Sequence, residues 1–201
     1  MIANLDALIA DHNTITHTDR GMIEPDGLRL IAEGIELAVQ QDGERIVEIG
    51  AYRGNTTAFM ARCLRNLPTD KHKLFAIDAF DARTDCEQYE SASRKTVDMA
   101  LRRWNVDGLV TVIALPSQKA WQYLESGFVF VVIDGSHQYE DVLFDIQKYG
   151  AMLANGGYLW LDDLKQPYYG VMQAADELLK DSLGWHFIGK TKQSILVQKA
   201  A

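Results

Sequence analysis

Cysteine and proline are scarce in this sequence, and their scarcity excludes several kinds of protein. The 201 residues include 2 cysteines and 4 prolines. The two cysteines, Cys63 and Cys86, provide neither a disulfide framework nor the spacing of a zinc site, so we expect a reducing, cytoplasmic environment. The prolines are scattered, and no Pro/Gly/Ser-rich linker marks a domain boundary. We therefore expect residues 1–201 to form a single domain.

Positive charge and long hydrophobic runs are also lacking. The chain has 20 Lys and Arg against 28 Asp and Glu, a net charge of −8, which is the wrong sign for a protein that binds a phosphate backbone. Polar residues interrupt the N-terminus, which disfavours a secretion signal. The longest strongly apolar run, Phe128 to Ile133, is too short for a bilayer. We expect a small-molecule substrate and no nucleic-acid or membrane partner, and the composition is compatible with a homo-oligomer.

Hydrophobic periodicity divides the chain into two parts. Residues 1–44 show helical spacing and predict a helical N-terminal segment. From residue 45 onward, β-branched runs alternate with amphipathic segments, which is typical of an α/β fold: a mostly parallel sheet with helices on both faces. A short turn separates the last two of the seven predicted strands and predicts an antiparallel C-terminal hairpin. The predicted strands are 45–49, 74–78, 110–114, 128–134, 157–161, 185–188 and 194–198.

Two segments near the start of this α/β part are typical of a nucleoside site. The sequence VEIGAYRGNT, Val47 to Thr56, places two glycines between a strand and a helix, where backbone can approach a ligand closely. Its glycine spacing lacks the G-x-G-x-x-G pattern of NAD-binding proteins. Asp78 ends the next strand, where a carboxylate can accept hydrogen bonds from both ribose hydroxyls. A tight turn without a ligand and an aspartate that caps a loop are the alternatives.

A third segment, LPSQKAW at 115–121, follows the third predicted strand. Ser117 and Gln118 have side chains that can form hydrogen bonds with the edge of an adenine ring. Alternatively, Ser117 is an ordinary helix N-cap.

Acidic residues follow the fourth and fifth predicted strands. Asp134 ends VVID, and Asp162 and Asp163 end GGYLWLDD. Neighbouring strands lie about 4.8 Å apart, so we expect the three carboxylates to converge without a lysine or arginine between them and to hold a divalent cation, with Mg²⁺ the expected ion. Successive strand residues face opposite sides, so both later acids reach one ion only if the chain turns at Asp162. Solvated aspartates at strand ends are the alternative.

His137 lies three residues after Asp134, in the loop before the fourth predicted helix of the α/β part. A neutral imidazole at this place can accept a proton from a hydroxyl group, and a metal ion would make that hydroxyl easier to ionise. The ring can instead ligate the ion or cap the helix that follows. Acids in the first turn of that helix, such as Asp141, are interpreted as structural.

Together these motifs resemble the class I S-adenosylmethionine-dependent methyltransferases, and more narrowly the macrocin O-methyltransferase-like group of metal-dependent sugar O-methyltransferases. The motifs are E-I-G-x-Y-R-G, D-G-x-H-x-Y and G-G-Y-x-x-x-D-D. The resemblance implies that Asp134, Asp162 and Asp163 ligate the metal ion and that His137 or Asp134 removes the substrate proton. It also implies a site for S-adenosylmethionine (SAM) formed by Glu48, Gly50, Ala51, Tyr52, Gly54, Thr56, Asp78, Ser117, Gln118 and Asp134.

The function expected from this resemblance is cation-assisted methyl transfer to a hydroxyl of a sugar, a glycosylated natural product or a phenol. Tyr89, Tyr168, Tyr169 and Trp160 are candidates for the aromatic walls of the acceptor site, with ordinary packing as the alternative. The candidates for its lid are the segment before residue 45 and residues 81–91 and 165–170. A cephalosporin hydroxylase-like oxidative enzyme and a non-catalytic nucleoside-binding subunit are the two alternatives, since fold alone excludes neither.

Overall fold

The structure is a computed structural model that describes residues 1–19, 23–41, 43–68, 71–80, 92–180 and 184–200. Two helices precede the first strand, and helices and strands then alternate up to a final pair of strands. The helices are α1 Leu5–Asp19, α2 Pro25–Ala38, α3 Asn55–Arg65, α4 Arg94–Arg103, α5 Ser117–Ala120, α6 Tyr139–Met152 and α7 Tyr169–Lys180. The strands are β1 Arg45–Ile49, β2 Lys73–Ile77, β3 Val110–Ile113, β4 Phe128–Ile133, β5 Leu153–Leu161, β6 Trp185–Lys190 and β7 Ile195–Lys199.

The seven strands form one sheet in the order β3-β2-β1-β4-β5-β7-β6. The strands β1 to β5 pair in parallel, whereas β7 pairs antiparallel with both β5 and β6. The predicted mostly parallel sheet and its antiparallel C-terminal hairpin are therefore confirmed. The strand order reverses between β1 and β4, and this is the position at which open α/β sheets bind ligands.

Helices cover both faces of the sheet and create two hydrophobic cores. Strand β4 is buried on both sides, and its residues alternate between the cores: Phe130 packs with the residues of α1 to α4, and Val131 packs with those of α6 and α7. This alternation follows from the period of two along a strand, and continuous burial is typical of a parallel strand between helical layers. The expected helical cover on both faces is confirmed.

Strand bounds differ from the sequence prediction mainly at β5 and β6. Strand β5 begins at Leu153, four residues before the predicted start, and β6 continues to Lys190, two residues past the predicted end. The predicted turn at 189–193 is therefore shorter, because Gly189 and Lys190 pair with β7. Among the described residues, no helix has the length and hydropathy needed to span a membrane.

The parallel register places four strand ends in one row. Ile77 of β2, Ile49 of β1, Ile133 of β4 and Leu161 of β5 pair in succession across the sheet. The residue that follows each of them lies at the carboxyl edge of the sheet, where adjacent strands are about 4.8 Å apart. These four following residues are Asp78, Gly50, Asp134 and Asp162. The fold thus gathers segments that are distant in sequence at one edge.

Candidate active site at the carboxyl edge of the sheet

The turn after β1 passes very close to the end of β4. Gly50 has a φ of 93°, and a Cβ atom built on it would lie 1.9 Å from the carbonyl oxygen of Asp134. No side chain fits in that space, and L residues rarely adopt this φ. The turn after β1 and the end of β4 therefore approach each other closely, as the glycine turn predicts. At this point the edge of the sheet consists of backbone atoms.

Asp78 joins the turns after β1 and β2. Its carboxylate accepts hydrogen bonds from the backbone N–H of Tyr52 at 2.7 Å and from that of Phe80 at 2.8 Å. A carboxylate oxygen can accept two hydrogen bonds, so these contacts are compatible with additional bonds from ligand hydroxyls. The carboxylate is thereby fixed beside the glycine turn, which is the place predicted for a ribose-binding acid.

Three non-glycine residues at this edge have left-handed backbone conformations. The φ angles are 46° for Tyr52, 52° for Phe80 and 60° for Asp163, and these residues follow β1, β2 and β5. Such conformations are unfavourable for L residues and are concentrated at functional sites. The turn that the metal hypothesis required at Asp162 occurs instead at Asp163.

Glu48 is a fully buried acid one residue before the end of β1. Thr57 of α3 donates a hydrogen bond to its Oε2, and among the described residues its Oε1 has no hydrogen-bond partner. Burial raises the pKa of Glu48 to about 8, although the Thr57 bond lowers it. A cationic group that binds beside Glu48 would lower this pKa and favour the charged carboxylate.

The three acids expected to hold a metal ion do influence one another. Asp162 is 6% exposed, and burial together with Asp163 raises its pKa to about 7. Burial raises the pKa of Asp134 well above the usual range, and the charges of Asp162 and Asp163 raise it further. Burial and the neighbouring acids thus both favour the protonated forms of Asp134 and Asp162.

A lysine lies within this acidic group, contrary to the sequence prediction. The Nζ of Lys165 is 3.0 Å from Oδ1 of Asp163 and also donates a hydrogen bond to the side chain of Gln193. Burial alone would raise the pKa of Asp163, but hydrogen bonds from His137 and Lys165 lower it. The residues that the structure describes contain no group of three His, Cys, Asp or Glu side chains arranged to hold a metal ion. In this arrangement Asp163 is engaged by both Lys165 and His137.

His137 is held between a carboxylate and an aromatic ring. Its Nε2 is 2.9 Å from Oδ2 of Asp163, and its ring stacks on that of Tyr168 with centroids 3.8 Å apart. The N-cap residue of α6 is Gln138, without a side-chain cap, so the interpretation of His137 as a helix cap is wrong. The ring is instead directed across the sheet edge from the β4 loop to the β5 loop.

The predicted adenine-binding pair lies against α6. The side-chain Nε2 of Gln118 donates to Asp141 at 2.9 Å, and the carbonyl oxygen of Ser117 accepts a bond from the Tyr149 hydroxyl at 2.9 Å. Pro116 occupies the N-cap position of α5, so the alternative role of Ser117 as an N-cap is wrong. The sequence signal for these contacts is the i, i+4 spacing of Asp141 and Asp145, which places both acids on one face of α6. The interpretation of Asp141 as structural did not identify Gln118 as its partner.

An open cavity of about 390 Å³ adjoins His137. It lies between the loop that enters α6 and the loop that enters α7. Phenol rings line much of it, and one acid, Glu140, adds negative charge. The lining residues are His137, Gln138, Tyr139, Glu140, Pro167, Tyr168, Tyr169 and Gly170. Phenol rings beside a candidate base suit a small hydroxylated ligand.

The other residues predicted for the site differ in where they lie. Trp160 is fully buried within the first core, so its predicted role as a wall of the acceptor site is wrong. The candidate lid 81–91, which includes Tyr89, lies outside the described residues. The remaining cofactor candidates, Ala51, Gly54 and Thr56, lie in the turn after β1 and at the start of α3, where the Gly54 N–H donates to the Ala51 carbonyl at 2.7 Å.

A comparison with families of known proteins assigns the chain. The sequence model of a methyltransferase domain family matches residues 47–164, more than half of the chain. The chain belongs to this methyltransferase family. The matched segment runs from β1 to the loop after β5 and contains the glycine turn, Asp78, His137 and the three acids.

Individual relatives of the methyltransferase are distant in sequence. The uncharacterized protein R132 of Acanthamoeba polyphaga mimivirus is 24% identical in an alignment of 163 residues that covers 75% of this chain and 66% of that protein. The chain thus spans just under two thirds of the length of this curated relative.

Solved structures share the fold. The O-methyltransferase NovP has a TM-score of 0.82 at 16% identity, with 98% of each chain covered. The O-methyltransferase TomG from Streptomyces achromogenes, solved in complex with SAM, has a TM-score of 0.64 at 17% identity, with 98% of this chain and 89% of that chain covered. At these identities the likeness establishes the Rossmann-like class I methyltransferase fold.

Proposed function

We propose that this methyltransferase transfers the methyl group of SAM to a hydroxyl oxygen of a small molecule. The single observation that carries the proposal is the pair formed by His137 and Asp163, 2.9 Å apart beside an open cavity. A carboxylate beside an imidazole stabilises the imidazolium that forms when the ring accepts a proton. Such a base suits an acceptor hydroxyl, whose oxygen must lose its proton when it gains a methyl group.

The cofactor would lie above the reversal of strand order, between the glycine turn and the β4 loop. Asp78 would accept hydrogen bonds from the ribose hydroxyls, and Glu48 would face the methionine ammonium. The buried Glu48 supports this assignment because its Oε1 lacks a hydrogen-bond partner among the described residues and a cation beside it would favour the charged carboxylate. SAM supplies an activated methyl group, so the protein mainly aligns the two reactants and holds the proton acceptor.

The acceptor is proposed to be a sugar, a glycosylated natural product or a phenol. The cavity beside His137 supports this class because Tyr139, Tyr168 and Tyr169 line it. Aromatic faces pack against the apolar faces of sugar and phenol rings, and phenolic hydroxyls can bond to ring substituents. The narrower resemblance to macrocin O-methyltransferase-like enzymes, carried by the D-G-x-H-x-Y and D-D motifs, favours the same substrates.

We further propose, from the resemblance, that a divalent cation assists the transfer. Asp134 and Asp162 supply the oxygen chemistry that Mg²⁺ prefers, but Asp163 is engaged by Lys165 and His137. An ion would have to compete with the Lys165 ammonium for the same carboxylate. The proposed proton transfer to His137 involves no ion.

The decisive experiment is methyl transfer from labelled SAM to a panel of sugars and catechols, with and without Mg²⁺ and with excess chelator. We expect a methylated product and S-adenosylhomocysteine (SAH) from the wild type, and a loss of at least a hundredfold in His137→Gln with SAM affinity retained. Asp176→Asn, on the exposed face of α7, is the matched control. An oxygenated product, or failure to bind SAM in calorimetry, would contradict the proposal.

A further inference from the structure

Three residues of α6 hold the start of α5. Asp141, Asp145 and Tyr149 are spaced four residues apart and therefore lie on one face of the helix. Asp141 accepts a bond from Gln118 at 2.9 Å, and the Tyr149 hydroxyl donates to the carbonyl of Ser117 at 2.9 Å. Asp145 is 2% exposed and hydrogen-bonded to the Ser117 side chain. The helix thus fixes both residues of the predicted adenine-binding pair.

The carboxylate of Asp141 is also anchored from the loop after β4. Its Oδ2 accepts a hydrogen bond from the Ser136 hydroxyl at 2.8 Å, while its Oδ1 accepts the Gln118 amide. The Ser136 oxygen in turn accepts the backbone N–H of Gln138 at 3.1 Å. With one oxygen directed to α5 and the other to the loop after β4, the carboxylate has little freedom to rotate. Asp141 therefore joins the start of α5 to the loop that carries His137.

These contacts determine which end of the Gln118 amide is available to a ligand. A side-chain amide has a donor end and an acceptor end, and a carboxylate only accepts. Rotating the amide by 180° would place Oε1 against Oδ1 of Asp141, two acceptors with no proton between them. The contact with Asp141 therefore keeps Nε2 toward α6 and leaves Oε1 as the acceptor end on the other side of the amide.

The resulting polarity matches adenine and opposes its deaminated analogue. Adenine carries an exocyclic amino group, which donates, whereas hypoxanthine carries an oxygen at that position, which accepts. An amide oxygen in a fixed orientation gains a hydrogen bond from adenine and faces another acceptor in hypoxanthine. A mispaired polar group in a partly buried site costs about 1–3 kcal/mol, which corresponds to roughly 5- to 150-fold in affinity.

We infer that Asp141 is a positioning residue that determines specificity for adenine by fixing the orientation of the Gln118 amide. The inference rests on the proposed function, since it assumes that the nucleoside of SAM lies beside Gln118. In this role Asp141 lies behind Gln118, and Gln118 makes the contact with the ligand. The carboxylate of Asp141 need not touch the cofactor for this role.

The test compares two ligands by calorimetry: SAH, and S-inosylhomocysteine, in which hypoxanthine replaces adenine. The wild type is expected to bind SAH at least tenfold more tightly. In Asp141→Ala the amide is free to rotate, so the ratio should fall to within threefold of unity. Asp141→Asn keeps an acceptor for Gln118, so the ratio of the two affinities should stay at or above the square root of the wild-type ratio. Asp176→Ala, an exposed change on α7, is the control and should leave the ratio unaltered.

A double-mutant cycle separates this role from a structural one. If Asp141 acts through Gln118, Asp141→Ala should not change the ratio further in the Gln118→Ala background. A role in folding alone would weaken both ligands equally and leave the ratio at the wild-type value. That result, or a wild type that binds both ligands equally, would overturn the inference. A wild type that binds neither ligand would instead refute the proposed function, so the two failures are distinguishable.

Discussion

The rings of His137 and Tyr168 are stacked, with an angle of 22° between their planes and 3.8 Å between their centroids. His137 belongs to the loop after β4, and Tyr168 to the loop after β5. Stacking fixes the plane of the imidazole, and the 2.9 Å contact between Nε2 and Asp163 fixes its rotation within that plane. Both contacts of the candidate base therefore come from the loop of the neighbouring strand, and together they fix its orientation.

The first prediction concerns the contact between His137 and Asp163. In Asp163→Asn the size of the side chain is kept, but the charge that stabilises an imidazolium is lost. We expect kcat for methyl transfer to fall by roughly a hundredfold or more, while the SAH affinity measured by calorimetry changes by less than threefold. Asp176→Asn is the control. A rate equal to that of the wild type would exclude Asp163 from the proton transfer.

The second prediction concerns the lysine within the acidic group. Removing the Lys165 ammonium leaves Asp134, Asp162 and Asp163 without their neighbouring positive charge, and close like charges favour cation binding. We expect Lys165→Met to bind Mn²⁺ at least tenfold more tightly than the wild type, as measured by paramagnetic resonance of the free ion. Lys180→Met, an exposed change at the end of α7, should have no effect. Equal affinity in Lys165→Met and the wild type would show that Lys165 and the ion do not compete.

The third prediction compares two glycines with similar backbone conformations. Gly50 and Gly127 have φ angles of 93° and 97°, but only at Gly50 would a Cβ atom meet neighbouring atoms within 4 Å. In Gly127→Ala the alanine must adopt a positive φ but meets no neighbouring atom, so the unfolding free energy should fall by about 1 kcal/mol. Gly50→Ala must also move the β4 loop, so we expect a loss of several kcal/mol in urea denaturation and no detectable SAH binding. Similar effects of the two changes would show that the close approach is unimportant.

The sheet could be predicted from the sequence because its signals are local. Apolar runs such as the one from Phe128 to Ile133 and the short turn before the last strand determine strand number and the final hairpin. The edge position of Asp78 and Asp134 also follows, since each comes directly after a strand. These inferences need only the period of the chain and the rule that parallel strands end at a common edge.

The contacts between side chains could not be predicted in the same way. Lys165 is two residues from Asp163, but whether its ammonium folds back depends on the left-handed turn at Asp163 and on Gln193, which arrives from the final hairpin. The metal hypothesis failed to include Lys165 because it considered only residues at strand ends. Whether Trp160 lines a site or packs in the core depends likewise on the position of α2 over β5, which is set by tertiary packing.

The fourth prediction concerns the buried acid that contacts Ser117. Burial raises the pKa of Asp145 to about 7 from 3.8. The folded protein therefore holds a proton on Asp145 that the unfolded chain releases above pH 4, and stability falls as the pH rises from about 4 to about 7. This effect amounts to at most about 4 kcal/mol. Asp145→Asn, which carries no charge, should be more stable than the wild type at pH 8 and nearly equal at pH 4 in urea denaturation. A constant difference between the two proteins would contradict this pKa.

The last prediction concerns His12, which packs α1 against α3. The ring is 4% exposed and meets the edge of the Phe59 ring, with centroids 5.8 Å apart. Burial lowers the pKa of His12 to about 4 from 6.5, and the nearby charge of Arg62 lowers it further. The folded state therefore keeps the ring neutral at pH values at which the unfolded chain protonates it.

The sign of the effect follows from this difference in proton binding. His12 contributes its full stability above pH 6.5, and this contribution decreases as the pH falls from 6.5 toward 4. Between pH 7.5 and pH 5 the loss is about 2 kcal/mol. His12→Gln cannot titrate, so its unfolding free energy should decrease by about 2 kcal/mol less than that of the wild type over this interval. Because His186 on β6 is not among the buried polar residues, His186→Gln is the matched control and should follow the wild type. If His12→Gln follows the wild-type curve as well, the ring of His12 is protonated in the folded protein and the packing of α1 on α3 does not shield it from water.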